Sequence, residues 1–307
     1  MPDTERKLLR IPIVRSLIRF AKKVKLPGFE GLSLFEFLKA YTVGIVEGTF
    51  SSRASGIAFS FFMAIFPFLL FILNLIPYIE INNFQEEFRY FINELMPPKT
   101  AGFFDPIIVD IAANPRGSLL SFTLLLSIFL MTNGVNAIFG AFEYSFYIVH
   151  KRSVIRQYLV ALGVSIFLAI VLFIAVAVMV FGQYLIVLLN DEGVLLDDVL
   201  WVNVIRFLAF VCVIYIVTAT LYYFGTKEGK MSRFFSVGAT VTTVFFILTT
   251  WLFSVYINNF SRYNELYGSI GALLIMMLYI WINSNLLLLG FELNTTIYRL
   301  KSKNKET

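Results

Sequence analysis

The stretch YLVALGVSIFLAIVLFIAVAVMVFGQYLIVL, residues 158–188, contains no Asp, Glu, Lys, Arg or His. A helix of about 20 residues crosses the roughly 30 Å hydrocarbon layer of a bilayer, so this run is long enough to span it with tilt. Five further stretches of the same kind surround it, at about Ile57–Ile79, Ser118–Phe142, Leu200–Phe224, Phe234–Ile257 and Gly268–Tyr298. Only helices and closed barrels satisfy every backbone polar group in lipid, and apolar runs of this length are helical. The expectation is an all-α, polytopic membrane protein with about six transmembrane helices.

Composition agrees with the spans. The chain is 58% hydrophobic and 15% charged, with 34 phenylalanines and a mean hydropathy of +0.79. Too few polar residues remain to clothe a soluble domain. The net charge of +5 points to nucleic acid only until the basic residues are placed. Twenty Lys and Arg fall in the N-terminal region, the loops 141–157 and 225–233 and the C-terminal tail, against four in the opposite loops. Lys and Arg collect on the cytoplasmic side, so both termini are expected there, in a bacterial inner membrane, with membrane lipids as partners and nucleic acid not expected.

Residues 1–33 read as a basic cytoplasmic segment able to lie on a leaflet, without the continuous apolar core of an export signal. The membrane domain is expected over 34–298, with a basic tail at 299–307. Ser33 and Glu36 form a capping box, and Leu34, Leu38, Tyr41, Ile45 and Val46 share one face, predicting an amphipathic interfacial helix over 34–50. The loop 80–117 carries two further amphipathic stripes, around Phe84–Leu95 and Phe104–Ile111. Such a loop exceeds what joining two spans requires, and it is a candidate lid or a docking surface for an envelope protein.

Polar groups inside a bilayer are expensive, and each needs a partner or a purpose. Asn133, Asn136, Asn283 and Asn285 fall near the middle of the second and sixth spans, with Asn74 in the deeper half of the first. They either line a polar route or hydrogen-bond between helices. Glu143, Glu292 and Arg53 come out at one level near the cytoplasmic ends of three spans, as a candidate gate or ion-pair cluster. Arg206, about 10 Å inside the external end of the fourth span, joins Gln183 and Asn203 at a candidate external mouth. Asn136–Glu143 and Asn285–Glu292 repeat the same spacing, but in spans that run in the same direction, so no inverted duplication follows.

Cys212 is the only cysteine and His150 the only histidine, which excludes intramolecular disulfides, His-based zinc clusters and triads needing a second His. Cys212, in an apolar run, is expected to be a small packing residue. No Walker sequence, GxGxxG or HExxH is present. No metal site and no cofactor are expected, and any transport proceeds without an ATPase in this chain.

Several motifs read together. Arg53-Ala-Ser-Gly-Ile-Ala-Phe-Ser-Phe-Phe-Met-Ala-Ile-Phe-Pro67 resembles the R-x-x-A-L-A-Y-Y-x-L-x-S-L-F-P signature of the YihY/BrkB family of bacterial inner-membrane proteins. Asn133-Gly-Val-Asn-Ala-Ile-Phe-Gly-Ala-Phe-Glu-Tyr144 is similar to that family's second helix, and Tyr267-Gly-Ser-Ile-Gly-Ala272 and Leu289-Gly-Phe-Glu-Leu-Asn294 to its last. The resemblance covers roughly residues 35–298. Phe59 stands where the family often has Tyr. The resemblance implies a membrane protein of a family once labelled ribonuclease BN and also called virulence factor BrkB, some of whose members are associated with lipid or solute movement. The nuclease label finds no metal-ligand cluster here. Three functions follow as expectations: a transporter or flippase-like protein, a scaffold docking an envelope partner through 80–117, and an enzyme acting on nucleic acid or lipid.

Overall fold

The computed structural model describes residues 20–24, 33, 35, 50–75, 117–145, 152–191, 198–227, 234–259 and 269–305. Six long helices account for nearly all of them: α1 Phe50–Leu75, α2 Gly117–Glu143, α3 Val154–Asp191, α4 Asp198–Gly225, α5 Val237–Asn259 and α6 Ser269–Lys305. No strand runs through the described residues. Five of the helices, α2 to α6, contain a window apolar and long enough to cross a membrane. The remaining one, α1, is 26 residues long, enough for about 39 Å at the helical rise of 1.5 Å per residue.

The all-α polytopic fold expected from the apolar runs is therefore present, with one shift of boundary. Helix α1 begins at Phe50, seven residues before the apolar run, because its first turns carry Ser51, Ser52 and Arg53 toward the polar end of the bundle. Pro67 lies inside α1. It donates no N–H to the Met63 carbonyl, a loss that membrane helices tolerate when neighbours compensate. The amphipathic segment 34–50 and the loop 80–117 lie outside the described residues, apart from isolated positions at their edges.

Neighbours in sequence are neighbours in space. Each helix packs on the next, and α6 returns to pack on α1, closing a ring; α2 also reaches α4 and α6. The ring has two tiers. From Leu130 to Glu143 in α2, Val213 to Gly225 in α4 and Tyr279 to Tyr298 in α6, every residue is buried or half-buried. Helices α1, α3 and α5 instead expose apolar stripes at helical spacing: Phe59, Met63, Phe66 and Leu70; Leu159, Ile166, Ile170 and Phe173; Val244, Leu248, Trp251 and Val255. Exposed side chains of this kind suit lipid, which solvates them at no cost. The even-numbered helices are the inner layer at this end and the odd-numbered ones the outer.

Among the described residues the largest buried side chains lie toward one end of the bundle. Phe139, Phe142, Phe291, Ile57, Ile138 and Leu288 are the largest fully buried apolar side chains, and all lie toward the end that carries Arg53. Farther from that end the described buried residues of α1, α2 and α3 include Ala64, Pro67, Thr123, Ser127 and Ala175. Hydroxyl groups there and elsewhere bond back to their own helix, as Ser127 does to the Thr123 carbonyl at 2.6 Å and Thr243 to that of Ala239 at 2.8 Å, which hides their polarity from lipid.

Candidate functional site

At the Arg53 end, one aromatic ring from each inner helix meets the other two. Phe142 of α2 stacks on Phe291 of α6 with centroids 3.9 Å apart and planes 8° from parallel. Tyr222 of α4 stands 5.7 Å from Phe142 and 5.9 Å from Phe291. Gly225 leaves room for this junction, since a Cβ there would run into the Phe142 ring. The three rings form an apolar plug where α2, α4 and α6 converge.

Tyr222 fastens the plug to the outer layer. Its hydroxyl donates to the Leu287 carbonyl at 2.7 Å and shares a hydrogen bond with Thr242 Oγ1, also at 2.7 Å. The approach of α5 to α6 at this level requires two glycines. A Cβ on Gly290 would overlap Thr242 Oγ1 and the Tyr222 hydroxyl, and one on Gly238 would meet the Gly290 carbonyl. Small residues at such crossings let helix backbones approach closely, as lipid-embedded packing requires. Ser236 caps α5, accepting from the Ala239 amide at 3.3 Å, and Asn294 of α6 holds the same turn by accepting from the Gly238 amide at 2.8 Å.

Beside the plug lies an ion pair. Arg53 Nη1 is 3.4 Å from Glu292 Oε1, with the two side chains 6% and 0% exposed. Arg53 Nη2 donates to the Ala141 carbonyl, one residue before Phe142. Ser145 donates to the other carboxylate oxygen of Glu292 at 2.8 Å, and Phe50 places its ring 5.6 Å from the guanidinium carbon. The pair thus joins α1, α2 and α6 at the level where the rings close the interior. A carboxylate and a guanidinium this deeply buried contribute little net stability against an apolar replacement, whereas removing one partner alone is costly.

The expected three-residue level is split in two. Arg53 and Glu292 come together, but Glu143 belongs to another network on the α3 side of α2. Glu143 Oε1 accepts from the Arg152 backbone amide at 3.0 Å. The Arg152 guanidinium turns away to cap α4, donating to the carbonyls of Phe224 at 2.6 Å and Thr226 at 2.7 Å, the polar groups a helix leaves unpaired at its C-terminus. The physical reason for the split is angular: the Ala141 carbonyl and Ser145 engage the Arg53–Glu292 pair, while the Glu143 side chain projects toward α3.

The asparagines divide as well. Asn136 meets Gln157 of α3 at 3.0 Å. Asn283 and Asn285 donate to carbonyls of their own helix, those of Tyr279 and Trp281, each at 2.8 Å. Neither is therefore an interhelical clasp through its amide nitrogen. Asn283 Oδ1 is buried without a hydrogen-bond partner among the described residues, an energetic cost in the inner layer. Asn133 is half-buried. The side chains of Asn74, Gln183, Asn203 and Arg206 lie outside the described residues, although their helices are placed.

Two further findings revise expectations. Cys212 is exposed rather than packed, because it lies on α4 before the wholly covered stretch begins. Phe59, at the family's tyrosine position, is 57% exposed on the outer stripe of α1, so a hydroxyl there would face away from the interior. Gln157, Ser145, Tyr222 and Thr242 were not singled out in the sequence. Each is an unremarked polar residue in or beside an apolar run, and the only available signal was the cost of burying it.

A closed ring of six long helices with lipid-suited outer stripes and charged groups buried at one end defines an integral, polytopic membrane protein. The chain belongs to the virulence factor BrkB family, whose model matches residues 44–307. It is 28% identical over 269 residues to the ribonuclease-like protein YfkH of Bacillus subtilis (strain 168), covering 87% of this chain and 96% of that protein. It is 25% identical over 280 residues to a UPF0761 membrane protein of Coxiella burnetii (strain Dugway 5J108-111), covering 87% and 97%. No solved structure matches the chain.

Proposed function

We propose that this protein moves a lipid or a small polar solute across the bacterial inner membrane, with both termini cytoplasmic and without an ATPase in its own chain. The observation that carries this is the buried Arg53–Glu292 pair beside the Phe142–Tyr222–Phe291 plug. Charges inside a membrane domain are costly and serve most often in substrate or ion pathways. Here they sit where the inner helices converge, at the end the Lys and Arg distribution assigns to the cytoplasm. Such an arrangement suits a bundle closed on the cytoplasmic side, with the ion pair as part of its gate. The unpartnered Asn283 Oδ1 supports a polar interior above the gate.

The test is reconstitution of the purified protein into liposomes, with translocation of labelled phospholipid and flux of polar solutes measured in parallel. Wild type is expected to move at least one of them above the protein-free rate. The double variant Arg53→Ala/Glu292→Gln, checked for retained helicity and detergent stability, is expected to change that rate. Background movement in both proteins for every probe rules out transport.

A further inference from the structure

The three rings that meet at the Arg53 end belong to α2, α4 and α6, and each pair of these helices is also joined by a polar tie. Between α2 and α6 the tie is Arg53, bonded to Glu292 and to the Ala141 carbonyl. Between α4 and α6 it is the Tyr222 hydroxyl, which donates to the Leu287 carbonyl at 2.7 Å. Between α2 and α4 it runs through Arg152, two residues ahead of α3. The Arg152 amide donates to Glu143 Oε1 at 3.0 Å, and Glu143 follows Phe142 in the chain. The Arg152 guanidinium donates to the carbonyls of Phe224 at 2.6 Å, Thr226 at 2.7 Å and Gly225 at 3.5 Å.

The Arg152 tie and the ring contact close on the same turn of α4. Gly225, between the two more tightly held carbonyls, is the residue whose missing Cβ makes room for the Phe142 ring. Moving this end of α4 away from Phe142 therefore breaks the bonds to Arg152. The design matches the one at Arg53. In each case an arginine at or beside the start of an outer helix, α1 or α3, reaches carbonyls near the end of an inner one, α2 or α4. A helix leaves those carbonyls unpaired and partially negative.

The two arginines differ in what letting go costs. Arg53 faces a fully buried carboxylate, so parting that pair strands a charge. Arg152 holds neutral carbonyls at the mouth of the bundle, beside the exposed Ser153 and Lys227, where water takes their place. Exchanging a charge-assisted hydrogen bond for water shifts an equilibrium by about tenfold or more. Bonds of that strength favour a closed state and still let it open.

We propose that Arg152 is a releasable latch on the cytoplasmic closure, holding the end of α4 against Phe142, and that the closure opens by departure of that end when the guanidinium lets go of residues 224–226. This inference rests on the gate proposed above and adds which wall of it moves.

The experiment uses the full chain in oriented vesicles, in a Cys212→Ser background, with two readouts that need no flux. Spin labels on Arg156→Cys and Lys227→Cys, both exposed positions, report the distance between α3 and the end of α4. A membrane-impermeant maleimide reports access to Asn283→Cys from the Arg53 face. Arg152→Gln is expected to add a population at longer distance and to raise the labelling rate at position 283 by about tenfold or more. Arg152→Lys, which keeps a donor, is expected to give a smaller increase, and it carries the test where Arg152→Gln does not accumulate. Ser165→Cys, buried on the α2–α3 seam, is expected to stay unlabelled in the Arg152→Gln background. Labelling there shows general loosening and overturns the proposal. Longer distances without faster labelling at 283 show a cap that merely keeps α4 from fraying, and overturn it too, as does no change in either readout. Faster labelling in a protein that moves no probe refutes transport and upholds the latch, whereas flux with labelling indifferent to Arg152→Gln refutes the latch alone.

Discussion

Replacing Glu292 by Gln keeps its shape and removes its charge, which isolates what the ion pair contributes. In the native protein Arg53 sits 3.4 Å from a fully buried carboxylate, with the Ala141 carbonyl as a further acceptor. Removing one member of a buried pair leaves the other charge uncompensated, at a cost of about 3–5 kcal/mol. The lower end applies here, because the Ala141 carbonyl still holds one guanidinium nitrogen. About 3 kcal/mol corresponds to a shift of roughly 150-fold in the folding equilibrium. Arg53→Met strands the carboxylate instead, with Ser145 still donating to it, and is expected to cost a similar amount. The double variant Arg53→Met/Glu292→Gln removes both charges and is expected to be less destabilised than the two single losses combined, by about 2 kcal/mol. The assay is reversible unfolding in mixed micelles, titrating with denaturing detergent and following helicity and tryptophan fluorescence. Losses that add to within about 0.5 kcal/mol would show that the two side chains do not interact, and the paired arrangement would be wrong.

Gly290→Ala places a methyl group against Thr242 and Tyr222 and is expected to destabilise the bundle by about 1–3 kcal/mol in the same assay; an unchanged midpoint refutes the close α5–α6 crossing. Arg152→Ala removes the cap on α4 and is expected to cost about 1–2 kcal/mol, with faster amide hydrogen exchange over residues 222–226. Tyr222→Phe is expected to cost about 0.5–1.5 kcal/mol through its two hydrogen bonds, whereas Phe59→Tyr on the exposed stripe is expected to change stability by less than about 0.5 kcal/mol.

The spans were legible because bilayer thickness sets a length that composition alone reveals: α2 was expected over Ser118–Phe142 and runs over Gly117–Glu143. The division into inner and outer helices was not legible. Lipid and protein interior are both apolar, so Phe59 on the outside and Phe142 at the centre look alike in sequence. Depth along the axis could be counted, and it placed Arg53, Glu143 and Glu292 at one level. The angle around each helix could not, and it sends Glu143 to α3 and Glu292 to α1. The asparagines show the same limit, since bonding back to Tyr279 or across to Gln157 depends on a rotamer and a neighbour. Arg152 was visible as a topogenic charge, while its capping of α4 depends on a contact with residues 224–226 that local sequence cannot indicate.

The central claim is that a polar interior is closed at the Arg53 end by the ion pair and the three rings. It is tested most directly by cysteine accessibility in a Cys212→Ser background, with Asn283→Cys labelled by a membrane-impermeant maleimide from either face of oriented vesicles. Closure at this end predicts labelling from the face opposite Arg53 only, and from both faces once Glu292→Gln is added. A cysteine at position 283 that stays unreactive from both faces, with and without Glu292→Gln, contradicts it.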